Sequence, residues 1–398
     1  MTTTQLRDLN VLISGASIAG PALALNLARY GAAVTVVEKA PALRPGGFAV
    51  DFRGHVHRTV LQAMGIWDDI HVRQTRMGRQ TIVDEHGEAR VDLPSAMMSG
   101  DVEIARGDLA EIMYERAKDR VEYVFGDSIA TLTEDADGVD VTFDRGTPRR
   151  FDIVVGADGL HSRTRRLAFG DESQYLHFLG YYVAGFSVPN HLGLDRTARI
   201  YSDPGRMINI NNYDGDPDRA GAGMVFQSER LDFDRRDIDR QKKIIADRYA
   251  DMGWETPRIL RALERADDLY FDAIAQIRID RLSTGRVVLI GDAGYGATMG
   301  GMGTGAAVVA AHVLAGELAA AHGDHRTAFA AYEAEIRDFA KGCQKTAGNA
   351  GPFLAPPTEK KIRQRDRAYR MLSSRLLAGV FKRLTEKAAT NIRLKDYA

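Results

Sequence analysis

The sequence predicts an α/β fold in which a parallel, Rossmann-like sheet domain is interleaved with a second β-sheet domain and followed by a C-terminal helix. Three observations predict it. The chain opens with a βαβ pattern: the apolar run Asn10–Ser14, the turn Gly15-Ala16-Ser17-Ile18-Ala19-Gly20, an Ala/Leu-rich helical stretch Pro21–Tyr30, and the apolar run Ala33–Val37 ending at Glu38. Two more buried-strand runs, Ile153–Val155 and Val287–Ile290, end in the turns Gly156-Ala157-Asp158-Gly159 and Gly291-Asp292-Ala293-Gly294. Less regular segments with short strands separate them. Elements of one kind that return at the start, middle and end of a chain fit two interleaved domains better than two consecutive ones.

Taken in order, Gly31 ends the first helical stretch. Gln80–Val83 and Ala89–Leu93 flank Asp84-Glu85-His86-Gly87, a hairpin pattern. A helical pattern covers Asp108–Lys118, and strands follow at Val121–Phe125 and Val139–Phe143. Beyond Ser173 come strands at Tyr181–Val188, Arg199–Tyr201 and Met224–Gln227, a polar helix at Asp239–Met252, and a small-residue helix at Thr304–Ala321. The expected division is a discontinuous nucleotide domain (1–75, 103–172, 281–350), a substrate domain (76–102, 173–280) and a C-terminal helical segment (351–398). Residues 360–398 hold twelve basic and three acidic residues, with Leu372, Leu376, Leu377, Val380, Phe381 and Leu384 at helical spacing. This reads as a terminal helix packed on the body with its basic face in solvent; the alternative is a membrane surface or an acidic partner.

Composition narrows the function. With 53 basic and 54 acidic residues the formal charge is −1, which argues against binding nucleic acid by neutralising phosphates. No run approaches the roughly 18 apolar residues of a membrane span. Met1–Asn10 is polar and leads straight into a strand, so no secretory signal is expected. Cys343 is the sole cysteine, reads as an inert packing thiol and permits no intrachain disulfide. A cytoplasmic protein acting on a small molecule, monomeric or weakly dimeric, is the expectation.

The turn Gly15-x-Ser17-x-x-Gly20 stands where a dinucleotide fingerprint belongs, between strand and helix. Gly15 makes the tight turn, Gly20 permits close helix–strand packing, and Ser17 is small enough for the backbone to approach a pyrophosphate. Glu38 follows 23 residues after Gly15 and its carboxylate would accept ribose hydroxyls while repelling a 2′-phosphate, which selects the adenosine of FAD or NAD over NADP at this position. Gly15, Ser17, Ile18, Ala19, Gly20, Glu38 and Lys39 are the candidate contacts.

Together with this turn, Asp152–Arg165 (DIVVGADGLHSRTR) and Gly291–Gly305 (GDAGYGATMGGMGTG) resemble, in order and spacing over most of the chain, the three signatures of the group A FAD monooxygenases of para-hydroxybenzoate hydroxylase type. The likeness is closer to the tetracycline-inactivating and antibiotic-pathway monooxygenases, which share an Arg seven residues before an Asp, here Arg44 and Asp51, and an Arg at a helix start, here Arg106 before Gly107-Asp108-Leu109. The resemblance implies a GR-type FAD-binding domain. It places Asp292 at the flavin ribityl chain and the glycines at 300, 301, 303 and 305 at the flavin O2 and N1 edge, with Gly301, Met302, Gly303 and Thr304 as candidate cofactor contacts. Arg106 becomes an FAD contact, Arg44 and Asp51 lie on the mobile-flavin or NADPH side, and Asp158 and Arg165 form a turn serving FAD and NADPH. It further implies that NADPH or NADH binds transiently, reduces FAD and leaves, and that O2 then gives a flavin C4a-hydroperoxide which passes one oxygen atom to an aromatic or polyketide-like substrate. No side chain need be covalently catalytic in such chemistry.

The sequence departs from that family after GDA, where Tyr295, Thr298 and Met299 replace its usual His and prolines. An FAD reductase or oxidase of the same fold, or a non-catalytic flavin-binding protein, therefore stays open. The only tryptophans are Trp67 and Trp254, which speaks against the flavin halogenases. Candidate substrate contacts are Phe186, Met207, Asn209, Asn211, Met224, Phe226 and Gln227, with 207, 209 and 211 on one face of a strand. His55-x-His57 and His322-x-x-His325 lack partner ligands for a metal and read as surface histidines.

Overall fold

The computed structural model describes residues 5–44, 46–93, 100–299, 303–372 and 392–397. A six-stranded sheet runs in the order Ser283–Thr284, Val287–Leu289, Ile153–Gly156, Asn10–Ser14, Ala33–Glu38, Glu122–Phe125; all pairs are parallel except the outermost, Ser283–Thr284 with Val287–Leu289. The apolar runs without alternation become its central strands because both faces are covered: helices pack on Val11, Ile13, Val34 and Val36, and a three-stranded antiparallel sheet packs on Leu12, Val37, Val154 and Val287. The first helix is Ala19–Arg29, two residues earlier than Pro21 suggested. Pro21 sits in the first turn, where its missing N–H would have had no intrahelical partner. The helix Gly303–Ala320 is apolar all round and is among the most buried elements. It is the one helix among the described residues long and apolar enough to cross a membrane, and its burial makes it the core of this domain.

The second sheet has seven strands in the order Tyr270–Ile277, Leu176–Pro189, Arg219–Gln227, Arg206–Asn212, Thr197–Asp203, Gln80–Val83, Ala89–Leu93. Its strands come from between those of the first sheet, as interleaving requires. The second strand is longer than Tyr181–Val188 because a bulge between Phe178 and Tyr181, at Gly180 with φ 82°, interrupts the alternation without ending the pairing. A three-stranded antiparallel sheet (Ile129–Glu134, Val139–Phe143, Arg149–Phe151) and the pair Ala49–Phe52 with Val102–Ala105 complete the β-structure.

At the C-terminus, helix Glu359–Leu372 packs Tyr369 against Ile82, Val91 and Leu93 of the second sheet's edge. Leu376, Leu377, Val380, Phe381 and Leu384 lie outside the described residues. The last described segment docks on the first domain: Tyr397 Oη donates to Glu317 Oε1 at 2.8 Å, and Lys395 Nζ lies 2.7 Å from Glu317 and 3.0 Å from Glu335.

The tightest packing lies under the first turn. Gly15 has φ 108°, and a Cβ there would stand 2.5 Å from Ala157 O; a Cβ on Gly20 would stand 1.9 Å from Gly15 O. Gly20→Ala is therefore expected to destabilise the protein by about 1–3 kcal/mol or more through overpacking. Gly342→Ala, in an exposed part of helix His325–Ala347 with nothing within 4 Å of the new Cβ, should stabilise by up to about 1 kcal/mol. Urea midpoints of the two variants on opposite sides of the parent check the pair.

Candidate functional site

Three turns meet at the C-terminal ends of the parallel strands. In the first, Gly15 N–H donates to Val37 O at 2.8 Å, which folds the turn back onto the second strand. The following helix has no acidic residue in its first turn, so its positive end is uncompensated, and Ser17 is exposed beside it. Ile18 and Ala19 are buried beneath. The Glu38 carboxylate accepts Ala16 N–H and Ala40 N–H, each at 2.8 Å, and so is held at the rim of the turn next to the exposed Lys39.

The second turn is braced internally. Asp158 accepts the Ser162 hydroxyl, Thr164 N–H at 2.9 Å and the Thr164 hydroxyl at 3.0 Å. Its carboxylate caps the helix Arg163–Phe169 and shapes the turn. Arg165 is wholly buried and donates to Ala293 O (2.9 Å), Leu160 O (2.8 Å) and Glu172 Oε2 (3.1 Å). Its guanidinium ties the second turn to the third. His161 bridges the two domains, with Nδ1 2.9 Å from Glu172 and Nε2 3.0 Å from Asp272.

The third turn places Asp292 at the head of the short helix Asp292–Tyr295. Asp292 retains a solvent-accessible side chain, yet protein crowding raises its carboxyl above the ordinary range, against the pull of Arg106 and a backbone hydrogen bond from Ala297. Tyr270 behaves alike: 41 % of it is exposed, while burial raises its hydroxyl well above the usual value, and Asp272, Asp292, Arg106 and Arg44 all act on it through their charge. Groups that are both crowded and wet form the floor of a cleft. Arg44 is exposed at its mouth. Asp51 lies on the strand Ala49–Phe52 and pairs with Arg53. Gly303 and Thr304 open the long core helix, and a Cβ on Gly303 would lie 3.7 Å from Asp292 Oδ1. Gly301 and Met302 lie outside the described residues.

Across the cleft stands one face of the seven-stranded sheet. Met207, Asn209 and Asn211 point to it, with Val225, Val183, Tyr181 and Ile274, and they meet Phe48 and Met299 from the first domain. Asn211 Nδ2 donates to Asn209 Oδ1 at 3.0 Å, and Gly221 and Gly223 lie beside this amide pair. The Phe48 ring covers Gly185 and Gly223: a Cβ on Gly185 would come within 2.7 Å of it. Gln227 has the same parity and is exposed at the strand end. Phe186, Met224 and Phe226 have the opposite parity. They are buried with Tyr249, Ile259 and Leu263 of the helices behind the sheet, which removes them from the substrate residues. Phe48 and Tyr270 were not singled out from the sequence; a lone aromatic after Gly46-Gly47 and one at a strand start carry no distinguishing pattern. His57 was read as a surface residue and is buried.

The His161 bridge yields a pH prediction. Burial disfavours the charged ring, but hydrogen bonds and charge from Asp272 and Glu172 outweigh it and raise the pKa above the ordinary value. A raised pKa stabilises the fold fully below the unfolded value of about 6.5, and the contribution disappears as pH rises through the folded one. His161→Gln should therefore cost more stability at about pH 5.5 than at about pH 8.5. Equal losses in urea titrations at the two pH values would show that the bridge carries no charge.

The FAD binding domain family profile matches residues 8–183. A protein of Mycobacterium tuberculosis H37Rv, itself uncharacterised, is 41 % identical over 359 residues, covering 88 % of this chain and 96 % of its own. A flavin-dependent monooxygenase of Legionella longbeachae is 38 % identical over 344 residues, covering 85 % of this chain and 88 % of its own. The crystal structure of tetracycline destructase Tet(55) matches with a TM-score of 0.84 at 34 % identity, covering 99 % of this chain and 100 % of that one. The glycine cradle, the uncompensated helix end and the wet, crowded Asp292 fit an FAD lying across the three turns, and the chain belongs to the FAD-dependent monooxygenases.

Proposed function

We propose that the protein uses NAD(P)H and O2 to insert one oxygen atom into a planar, oxygen-rich aromatic or polyketide-like small molecule held between FAD and the front face of the seven-stranded sheet. The observation that carries this reading is the cleft itself. The FAD cradle forms one wall; Phe48, the Asn209–Asn211 amide pair and Gly221 and Gly223 form the other. A wall of glycine backbone, one ring and paired amides suits a flat ligand with carbonyl and hydroxyl edges. The tetracycline destructase structures support the same ligand class.

In this reading Gly15, Ser17 and Gly20 receive the pyrophosphate at the positive end of Ala19–Arg29, and Glu38 takes the adenosine ribose. Asp292 hydrogen-bonds the ribityl chain with Arg106 beside it. The first-turn N–H groups of Gly303 and Thr304 meet the O2 and N1 edge of the flavin ring. Bound FAD supplies electron transfer from NAD(P)H to O2 and delivery of the oxygen atom. Arg44, exposed at the cleft mouth, attracts the phosphates of the nicotinamide dinucleotide.

The replaced prolines do not favour the reductase alternative. Thr298 N–H donates to Ala275 O at 3.1 Å, a bond that proline in that place could not make, and Ile277 N–H donates to Gly296 O at 3.0 Å. These bonds anchor the loop to the sheet edge by another route.

Asp292→Ala should weaken FAD binding by roughly ten- to hundredfold, the loss of a charged hydrogen bond worth about 1.5–3 kcal/mol; flavin retention after dialysis reads it. The reaction is tested with tetracycline and simpler polyphenols under 18O2. Product carrying one 18O, with NAD(P)H oxidation accelerated by the ligand, is the expected result. Turnover that continues without O2 would return the function to a reductase, and labelled product in none of the mixtures would overturn the proposed ligand class.

A further inference from the structure

His57 is a buried polar group that the site described above does not use. It lies on helix Gly54–Ala63, is 2 % exposed, and stacks edge-on to Phe52 with centroids 5.7 Å apart. Its Nδ1 is 2.8 Å from Arg53 O and 3.3 Å from Arg53 N; the shorter contact is to a carbonyl, which can only accept, so the ring proton goes to Nδ1 and Nε2 keeps a free lone pair. That Nε2 is buried and has no hydrogen-bond partner. A buried acceptor left without a donor is unfavourable.

What Nε2 faces is specific. It abuts Gly305, in the first turn of the 18-residue core helix, so closely that a Cβ on Gly305 would lie 2.3 Å from it. Glycine is the one residue that lets the imidazole lie against this helix end. The residues of the first two turns, Gly303 to Val309, contain no titratable side chain. The charged groups facing the ring are Asp51 and Asp101 from the flanking segments, with Arg53 heading its own helix and paired to Asp51. Burial holds the ring neutral, while the carboxylates of Asp51 and Asp101 pull towards the cation. The ring is therefore poised: an anion arriving at the same helix end adds to the carboxylates and favours protonation.

We propose that His57 is a positioning residue for charge in the cofactor site, its Nε2 taking one proton from solvent when the bound flavin is reduced. This rests on the placement of the flavin O2 and N1 edge at the Gly303–Gly305 turn proposed above. A hydride from NAD(P)H delivers two electrons and one hydrogen to FAD, which leaves one net negative charge; the solvent proton on Nε2 balances it. His57 touches the helix end rather than substrate, and it acts through the charge it places behind Gly305.

The test uses FAD-loaded wild type and His57→Leu, equilibrated with a reference dye above neutral pH. With two protons accompanying two electrons, the wild-type reduction constant should change about a hundredfold per pH unit, about 59 mV; the variant, with one proton, should change about tenfold, about 30 mV. Equal slopes overturn the proposal. Should the variant fold poorly, 15N-histidine spectra of the wild type decide. The His57 Nε2 resonance is expected to move from unprotonated to protonated when bound FAD is reduced with dithionite, and to stay unchanged in apoprotein treated alike. A resonance that does not move on flavin reduction overturns the proposal. Wild type that takes up no FAD overturns the cofactor placement itself, a distinct result that removes the proposal with it.

Discussion

The site depends on how closely three backbone turns approach one another at one edge of the parallel sheet. Gly15 lies against Ala157, Gly20 lies under Gly15, and Gly291 lies against Ala19, where an added Cβ would stand 2.9 Å away. No larger side chain fits in these gaps, so the turns converge closely at these glycines. Arg165 then locks the arrangement by donating to Ala293 O and Leu160 O from a fully buried position. A guanidinium presents five donors in a fixed plane, which suits it to joining two loops whose carbonyls would otherwise be buried unpaired.

Electrostatics follow from that convergence. The helices Ala19–Arg29 and Gly303–Ala320 begin at this convergence with no acidic residue in their first turns, so their positive ends are open to an anionic ligand. The acidic groups nearby are held at fixed places: Glu38 by two backbone N–H groups, Asp158 by its own turn, and Asp292 at the cleft floor. A carboxylate crowded by protein but open to the cleft gains most from a ligand hydroxyl, because the ligand supplies the donor that the protein withholds. Asp292 therefore has more to gain from such a donor than Asp158, whose oxygens are taken up by its own turn.

Much of this was legible in the chain. The unalternating runs at Asn10, Ala33, Ile153 and Val287 do form adjacent parallel strands, and the turns after the first, third and fourth do meet. Such strands are buried on both faces, so hydrophobicity alone marks them. The second sheet was harder to read. Phe186, Met224 and Phe226 are apolar residues on strands, as pocket residues would be, but alternation says only that two faces exist and not which one faces the cleft. The bulge at Gly180 further hid the register of the longest strand. His57 shows a different limit. The pattern His55-x-His57 lies in an otherwise polar helix start, and only the packing of Gly54–Ala63 on the core helix separates an exposed His55 from a buried His57.

The two walls of the cleft answer to different constraints. On the side of the three turns the wall is made of close-packed glycine backbone and braced carboxylates, so the geometry tolerates little change. On the sheet side the surface is made by side-chain identity at fixed register positions: Asn209 opposite Gly223, Asn211 opposite Gly221, and Gly185 opposite Gly223 on the other flank. Exchanging a glycine there for a larger residue would displace Phe48 or press on the amide pair without touching the strand hydrogen bonds. The sheet therefore holds its register while its surface is free to vary. Phe48 arrives on the loop after Gly46-Gly47, both at positive φ, from the same side of the cleft as Arg44. A movement of that loop would shift the ring on the sheet wall and the exposed cation together.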